Sequence, residues 1–500
     1  MVALAAADIV AMPLPVRSVD EDSSSLEEFC AGLWAENDRL RDENGRLRGE
    51  RDRLKARVKE LEVKVEELRR ASKRQAAPFS RGDRNETPGR PGRRPGGEYG
   101  RKAYRRAPKQ VDEELEAPLQ DRCGCGGEIR HERTVYQYQE ELPEPRPHRR
   151  RYAVQIGRCE CCGRRHQGRH PFQTSDALGA AGAMLGPRAV ALATQLNKEL
   201  GLSPQKTART LELVGGISVT PGGVVQAVAR QARALEPTYR ALIESVRESP
   251  VVAPDETGWR VDGRKAWLWA FAGEDATVYL VASGRGYEEA KVILGEDFSG
   301  VLERDGWAPY RRFELARHQT CYGHLLRRTS EMIADSLAGQ ARVPHALRRI
   351  LLDGLALRDQ RDEEIIDAEE FELKVTELER RADELLRMRP THEPNRRLLS
   401  HLRAEREHLF TFLTTPDVQA TNWRAEQALR PAVVNRKNWG GNRSWKGAQI
   451  QQIAISVIRT ARQQHTDPIE LMVQAQHQTA PTVSPLLRLP ARASPVRLAA

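Results

Sequence analysis

Leucine recurs at every seventh residue without a break, as Leu26, Leu33, Leu40, Leu47, Leu54, Leu61 and Leu68. A straight helix turns every 3.6 residues, so a sustained seven-residue repeat keeps one apolar seam only when helices wind around each other. With these leucines at heptad position d, position a holds Cys30, Asn37, Asn44, Arg51, Val58 and Val65. Unbroken Leu at d with Asn at two a positions favours a parallel two-stranded coiled coil, the buried Asn fixing register at some cost in stability. Residues 26–72 are therefore predicted to form a leucine zipper that makes the chain a homodimer. A single long helix packed on its own body is the alternative, and the uncapped heptads argue against it.

The chain has 500 residues, too many for one core, and length alone suggests about three domains. It has no run of about twenty apolar residues, so no membrane span is expected. The opening stretch "MVALAAADIVAMPLPVRSVDED" lacks a basic leading region, and no signal peptide is read there. A cytoplasmic protein is expected, its seven cysteines reduced or metal-bound. Net charge is +10, and residues 73–109 hold twelve Lys or Arg against Asp83, Glu86 and Glu98. Nearly all the excess charge thus sits in one segment, which points to a polyanion, most simply nucleic acid. Residues 73–118 read as a disordered Pro/Gly-rich linker, with Arg90, Arg93, Arg94, Arg105 and Arg106 able to lie along phosphates. A spacer whose charge only aids solubility is the plainer alternative. Residues 1–25 read as a disordered N-terminus.

Two cysteine clusters, "CGCGGEI" and "CECCGRRH", flank the strand-like alternation "RTVYQYQEEL". Tetrahedral zinc needs four ligands, usually from two tight knuckles. Cys159 and Cys162 form a C-x2-C knuckle, whereas Cys123 and Cys125 have one residue between them. Residues 119–175 are expected to form a zinc-ribbon-like domain on these four cysteines, with Cys161 or His166 as possible substitutes. A metal-free loop is the alternative.

Residues 187–235 read as three helices, one with Ser203 as N-cap and Pro204 at its first position. Residues 176–245 are accordingly expected to form a helix-turn-helix-like domain, although short helices and turns are common in all-helical packing too. From residue 250 the pattern turns to short strands: "SPVVAPDETGW", ending in Asp255, then "AWLWAFAG", "TVYLVAS" and "GVLERDGWAPYRRF", ending in Asp305. Residues 331–413 are charged and helical, and "GAQIQQIAISVIRTA" sets Ile450, Ile453, Ala454, Val457, Ile458 and Ala461 on one helix face. In "TNWRAEQALRPAVVNRKNWGG", Thr421 is a candidate N-cap, Asn422 and Glu426 share a face, and Pro431 is expected to stop or kink the helix. Alone, Glu426 reads as a solvated partner for its basic neighbours. Two carboxylates at strand ends with a third on a later helix are more specific. Three hard oxygen donors suit Mg²⁺, and two such ions roughly 3.5–4 Å apart clamp an in-line phosphoryl displacement.

The order of coiled coil, basic linker, cysteine knuckles, helix-turn-helix and D…D…E resembles the insertion-sequence 66 family of DDE transposases, from about residue 26 to 475. The motifs that carry the resemblance are "DETGWRV", "LERDGWAPY", "CYGHLLRR", "TNWRAEQALRPAVVNRKNW" and "DPIELM". The resemblance implies a multidomain α+β chain with an RNase H-like catalytic core over residues 246–465, a helical insertion at about 335–415, and a C-terminal segment and disordered tail over 466–500. It implies Asp255, Asp305 and Glu426 as catalytic ligands of two Mg²⁺ ions, with Asn422 and His324 (the latter in Cys321-x2-His324) as auxiliary residues. Arg430, Arg436 and Lys437 would then face DNA. Implied partners are double-stranded DNA, as element ends and target, and accessory proteins of the same element. Two departures stand out: the first knuckle is C-x-C, and Gln427 stands where the family commonly has Arg. The implied activity is metal-dependent strand cleavage and transfer. A catalytically silent DNA-binding regulator, or a nuclease of the same fold that cuts without joining, remain the alternatives.

Overall fold

The computed structural model describes residues 23–73, 107–337 and 339–489. The N-terminal stretch, the linker residues Arg90, Arg93, Arg94, Arg105 and Arg106, and the last eleven residues lie outside the described residues. The chain divides into two compact units, Met1–Ala107 and Pro108–Ala500. The first contains one long helix, α1 (Ser23–Lys73), on which Leu33, Leu40, Leu47, Leu54 and Leu61 are all exposed.

The second unit opens with a long irregular stretch and a small antiparallel hairpin, β1 (Ile156–Arg158) with β2 (Arg165–Gln167), whose turn holds Cys159–Cys162. The alternation at 133–142 forms no strand: the segment is exposed and joins no ladder, and an alternating pattern stabilises a strand only when another strand pairs with it. Three helices follow as expected: α2 (Pro187–Lys198), α3 (Pro204–Gly215) and α4 (Pro221–Arg247). Ser203 caps α3 by accepting from the Lys206 N–H, and Gly216 ends that helix in the left-handed region at φ 60°.

A five-stranded mixed sheet forms the centre: β3 (Val251–Val261), β4 (Arg264–Ala272), β5 (Thr277–Ala282), then, after α5 (Tyr287–Leu294), β6 (Val301–Arg304) and β7 (Arg317–Thr320). Its order is β5-β4-β3-β6-β7, with β3, β4 and β5 antiparallel and β6 and β7 joined in parallel beyond β3. Asp262 (φ 53°) and Gly263 (φ 70°) both sit in the left-handed region, so Asp-Gly makes a tight two-residue turn between β3 and β4. Helices cover both faces. Trp269, Phe271, Val278 and Leu280 pack with α4, α5 and later helices, while Leu268, Ala270, Tyr279 and Val281 pack on the opposite side.

After β7 come α6 (Tyr322–Ala334), α7 (Arg342–Asp362), α8 (Ala368–Arg387) and α9 (Glu393–Glu405), which build their own core around Leu347, Leu351, Leu398 and Phe412. Helices α7 to α9 fall in the stretch expected to be charged and helical, and the short α10 (Thr411–Thr414) follows. The chain then returns to the sheet as α11 (Trp423–Trp439), α12 (Trp445–Gln463) and α13 (Pro468–His477). Helix α12 is buried beyond one face, since Gln451, Gln452, Ser456 and Thr460 are also inside. Three of these serve the β5 edge: Ser456 Oγ and Thr460 Oγ1 accept from the backbone N–H of Tyr279 and Thr277, and Gln452 Oε1 from that of Val281.

Candidate active site

β3 is longer than its apolar run suggested, so Asp255 lies mid-strand rather than at a strand end. The strand continues because β4 pairs with it from Ala253↔Ala272 to Val261↔Arg264. On its other edge β3 pairs with β6 only at Val251↔Val301 and Val252↔Leu302. Carried three residues further, that parallel register sets Asp255 level with Asp305, just past the end of β6. Side chains alternate along a strand, so Asp255 shares a face with Ala253 and Trp259, the face that α11 covers through Ala425 and Ala428. Glu426 stands in the first turn of α11 and thereby approaches the two aspartates.

Helix α11 starts at Trp423 with Asn422 as N-cap, one residue later than the candidate Thr421, and the Asn422 side chain makes no capping bond. Pro431 does not stop it: the helix runs on to Trp439 and ends at Gly440 (φ 76°). Proline removes one helical hydrogen bond at a cost of about 3 kcal/mol. Ala425, Ala428, Leu429, Ala432 and Asn435, buried on both sides of it, offset that loss.

The acids interact electrostatically. Burial first, then the charges of Glu256, Asp305 and Glu426, push the Asp255 carboxyl up to about 7 from its ordinary 3.8, against one hydrogen bond from the Glu256 N–H at 2.9 Å. Asp305 Oδ1 accepts from the backbone N–H of Trp307 at 2.9 Å. That tight turn is made possible by Gly306, whose φ of 87° is left-handed and whose place a Cβ would take only by running into the His401 ring.

His324, in the first turn of α6, brings Nε2 to 3.9 Å from Glu426 Oε1, and its buried Nδ1 has no partner among the described residues. Asn422 is fully buried, and neither its Oδ1 nor its Nδ2 has a partner there either. Its backbone N–H reaches the Cys321 sulfur at 3.4 Å, and burial pushes that thiol up. Asp255, Asp305, Glu426 and His324 thus come within electrostatic reach of one another from four separate elements, with Asn422 at the start of α11.

Other residues are placed differently. Arg436 is spent on β3, donating to Thr257 Oγ1 at 3.2 Å and to the Gly258 carbonyl, whereas Arg430 and Lys437 are exposed. Arg424 pairs with the buried Glu303 at 3.2 Å. Cys123 and Cys125 share one turn, closed by the Cys123 N–H on the Gly127 carbonyl at 2.8 Å; Cys159 and Cys162 share another. Backbone donation from Gly127 holds the Cys125 thiol below its ordinary value, and backbone donation from Cys162 and Cys161 does the same for Cys159. Such thiols favour the thiolate that zinc requires. Among the described residues, no three His, Cys, Asp or Glu side chains are gathered closely enough to hold a metal ion as they stand. By donor chemistry, three carboxylates under mutual repulsion fit a hard divalent cation.

Three functional neighbours escaped the sequence reading: Glu256, Arg285 and Tyr310. Tyr310 Oη donates to Glu256 Oε2 at 2.8 Å, and Arg285 Nε donates to Glu256 Oε1. Glu256 and Tyr310 lie within the quoted motifs "DETGWRV" and "LERDGWAPY", but nothing in their spacing announces contact.

A family model described as "Transposase IS66 family" matches residues 182–450, more than half of the chain. No curated protein matches it.

Proposed function

Because the chain belongs to the IS66 family of transposases, we propose that it is a Mg²⁺-dependent DDE enzyme that cuts the ends of an insertion sequence and joins them to target DNA. The observation that supports this reading is the β3–β6 register, which sets Asp255 level with Asp305 on the face that α11 covers, with Glu426 in the first turn of that helix. Binding alone requires no such convergence of acids, and like charges around a half-buried carboxylate are costly unless a cation enters among them.

In this reading the sheet is an RNase H-like core, and Asp255, Asp305 and Glu426 would hold the metal. Two Mg²⁺ ions, when bound, supply charge stabilisation to the attacking and leaving oxygens of phosphoryl transfer. The protein's own part is positional. β3 and the Gly306 turn fix the two aspartates, and α11 delivers Glu426. The unpartnered amide of Asn422 orients a phosphate or an ordered water beside it, and His324 braces Glu426. Exposed Arg430 and Lys437 contact the DNA backbone without reading sequence. Helices α2 to α4 serve as the helix-turn-helix-like element, α1 pairs two copies, and the cysteine turns close on structural zinc. No helix among the described residues is long and apolar enough to cross a membrane.

Purified protein incubated with labelled element ends, target plasmid and Mg²⁺ tests the reading. Joined products are expected. Cuts without joining would make it a nuclease, and mobility shifts without cuts would make it a binding protein.

A further inference from the structure

Arg285 lies in the short loop between β5 and α5. Its loop is held on both sides: Trp269 Nε1 donates to the Gly284 carbonyl at 3.4 Å, and the Gly286 N–H donates to Glu289 Oε2 at 2.8 Å. The guanidinium is clamped between two indoles, 5.0 Å from the Trp267 ring centroid and 4.2 Å from that of Trp307. Its Nε donates to Glu256, a carboxylate whose side chain is entirely buried and which Tyr310 holds from the other side. Its Nη2 then stands 4.0 Å from Asp305 Oδ2.

Alternation along β3 explains why this second acid exists. Asp255 faces α11, so Glu256 faces the opposite side of the sheet, where Tyr310 packs with Trp269. Glu256 is therefore placed to hold an arginine rather than to join the acids on the other face. An exposed Arg–Glu pair contributes little, but here one partner is buried and the other is stacked on two rings. Trp307 closes the circle, because the residue that stacks on Arg285 also donates its backbone N–H to Asp305 Oδ1. Both carboxylate oxygens of Asp305 are thus addressed, one by the Trp307 backbone and one by the arginine that the Trp307 ring holds.

We propose that Arg285, clamped by Trp267 and Trp307 and anchored on Glu256, is a positioning residue that fixes the Asp305 carboxylate for divalent-cation binding. This rests on the reading of Asp305 as a metal ligand. Loss of a partner that orients a ligand weakens metal binding by about 10–100-fold. Removing the charge of Arg285 would by itself favour a cation, so the decisive variants keep it.

The test is Mn²⁺ binding to the full chain, read from the free-ion signal in electron paramagnetic resonance, with thermal melting as the control for folding. Arg285→Lys and Trp307→Leu each keep every charge and are expected to weaken Mn²⁺ binding about tenfold or more at unchanged melting temperature, while Trp307→Phe restores it by returning a ring to the stack. Wild-type affinity for both charge-conserving variants, with tighter binding for Arg285→Met, would show that Arg285 acts only as a competing charge and would overturn the inference. Wild-type protein that binds no Mn²⁺, or binds it as well after Asp305→Asn, overturns the functional reading itself and the inference with it.

Discussion

Asp255→Asn should stabilise the metal-free protein while abolishing cleavage. The amide has the shape of the carboxylate, and its Oδ1 can still accept from the Glu256 N–H. What it lacks is a charge that burial and three neighbouring carboxylates disfavour, pushing Asp255 from 3.8 to about 7. The sign follows from that upward shift. The folded chain prefers the protonated acid, so the contribution to stability is full below about 3.8 and is lost as pH rises through about 7. At ~1.36 kcal/mol per pH unit, the ceiling above pH 7 is about 4 kcal/mol, and partial access to water brings the expected gain to about 2–4 kcal/mol. At pH 5 the same arithmetic leaves no more than about 1.6 kcal/mol. Urea unfolding with chelator present, followed by tryptophan fluorescence, reports on this region because Trp259, Trp267 and Trp269 lie on β3 and β4. The gap between variant and wild type should widen from pH 5 to pH 8. Mg²⁺ at about a hundred times its Kd should return about 2.7 kcal/mol to wild type and little to the variant. A gap that is absent at pH 8, or equal at both pH values, refutes the claim that burial and its acidic neighbours disfavour the Asp255 charge in the fold.

Glu426→Gln should lower strand cleavage by more than the ~10–100-fold that loss of a ligand's supporting partner costs, while mobility shifts on element ends survive; normal cutting by this variant alongside dead Asp255→Asn and Asp305→Asn would place the third ligand elsewhere. Replacing Leu40, Leu47 and Leu54 together by Glu should yield monomers by light scattering, since each buried Leu contributes about 1.5–3 kcal/mol and the charges oppose pairing; an unchanged mass would remove α1 from the dimer contact. Elemental analysis of protein purified without chelator should find about one zinc per chain, as four-ligand structural sites bind. Zinc absent from such a preparation removes the ribbon.

Periodicity carried much of the architecture. The Ser203-Pro204 helix start, the strands from 264 to 282, the charged helices after β7 and the buried face of α12 are all local signals, because a cap, a turn or an apolar stripe acts within a few residues of itself. Local reading also misled where tertiary contacts outweighed propensity. Pro431 sits inside α11 because the flanking alanines and Leu429 are buried against the sheet, and Asp255 sits mid-strand because β4 extends the ladder past it. The alternation at 133–142 joined no ladder and made no strand. Asp255, Asp305 and Glu426 were singled out as carboxylates at strand ends and on a later helix, and by the resemblance of the chain to a family. Only the fold decided that their charges act on one another. The β3–β6 register, which stops after two pairs, sets the two aspartates level, and small residues on α11 let Glu426 approach. Arg285 and Glu256 are 29 positions apart and their contact had no sequence signature, because it depends on which face of β3 each acid takes once a helix has covered the other. Sequence specifies the groups available; the charge each one feels is set by the neighbours that folding brings within a few ångströms.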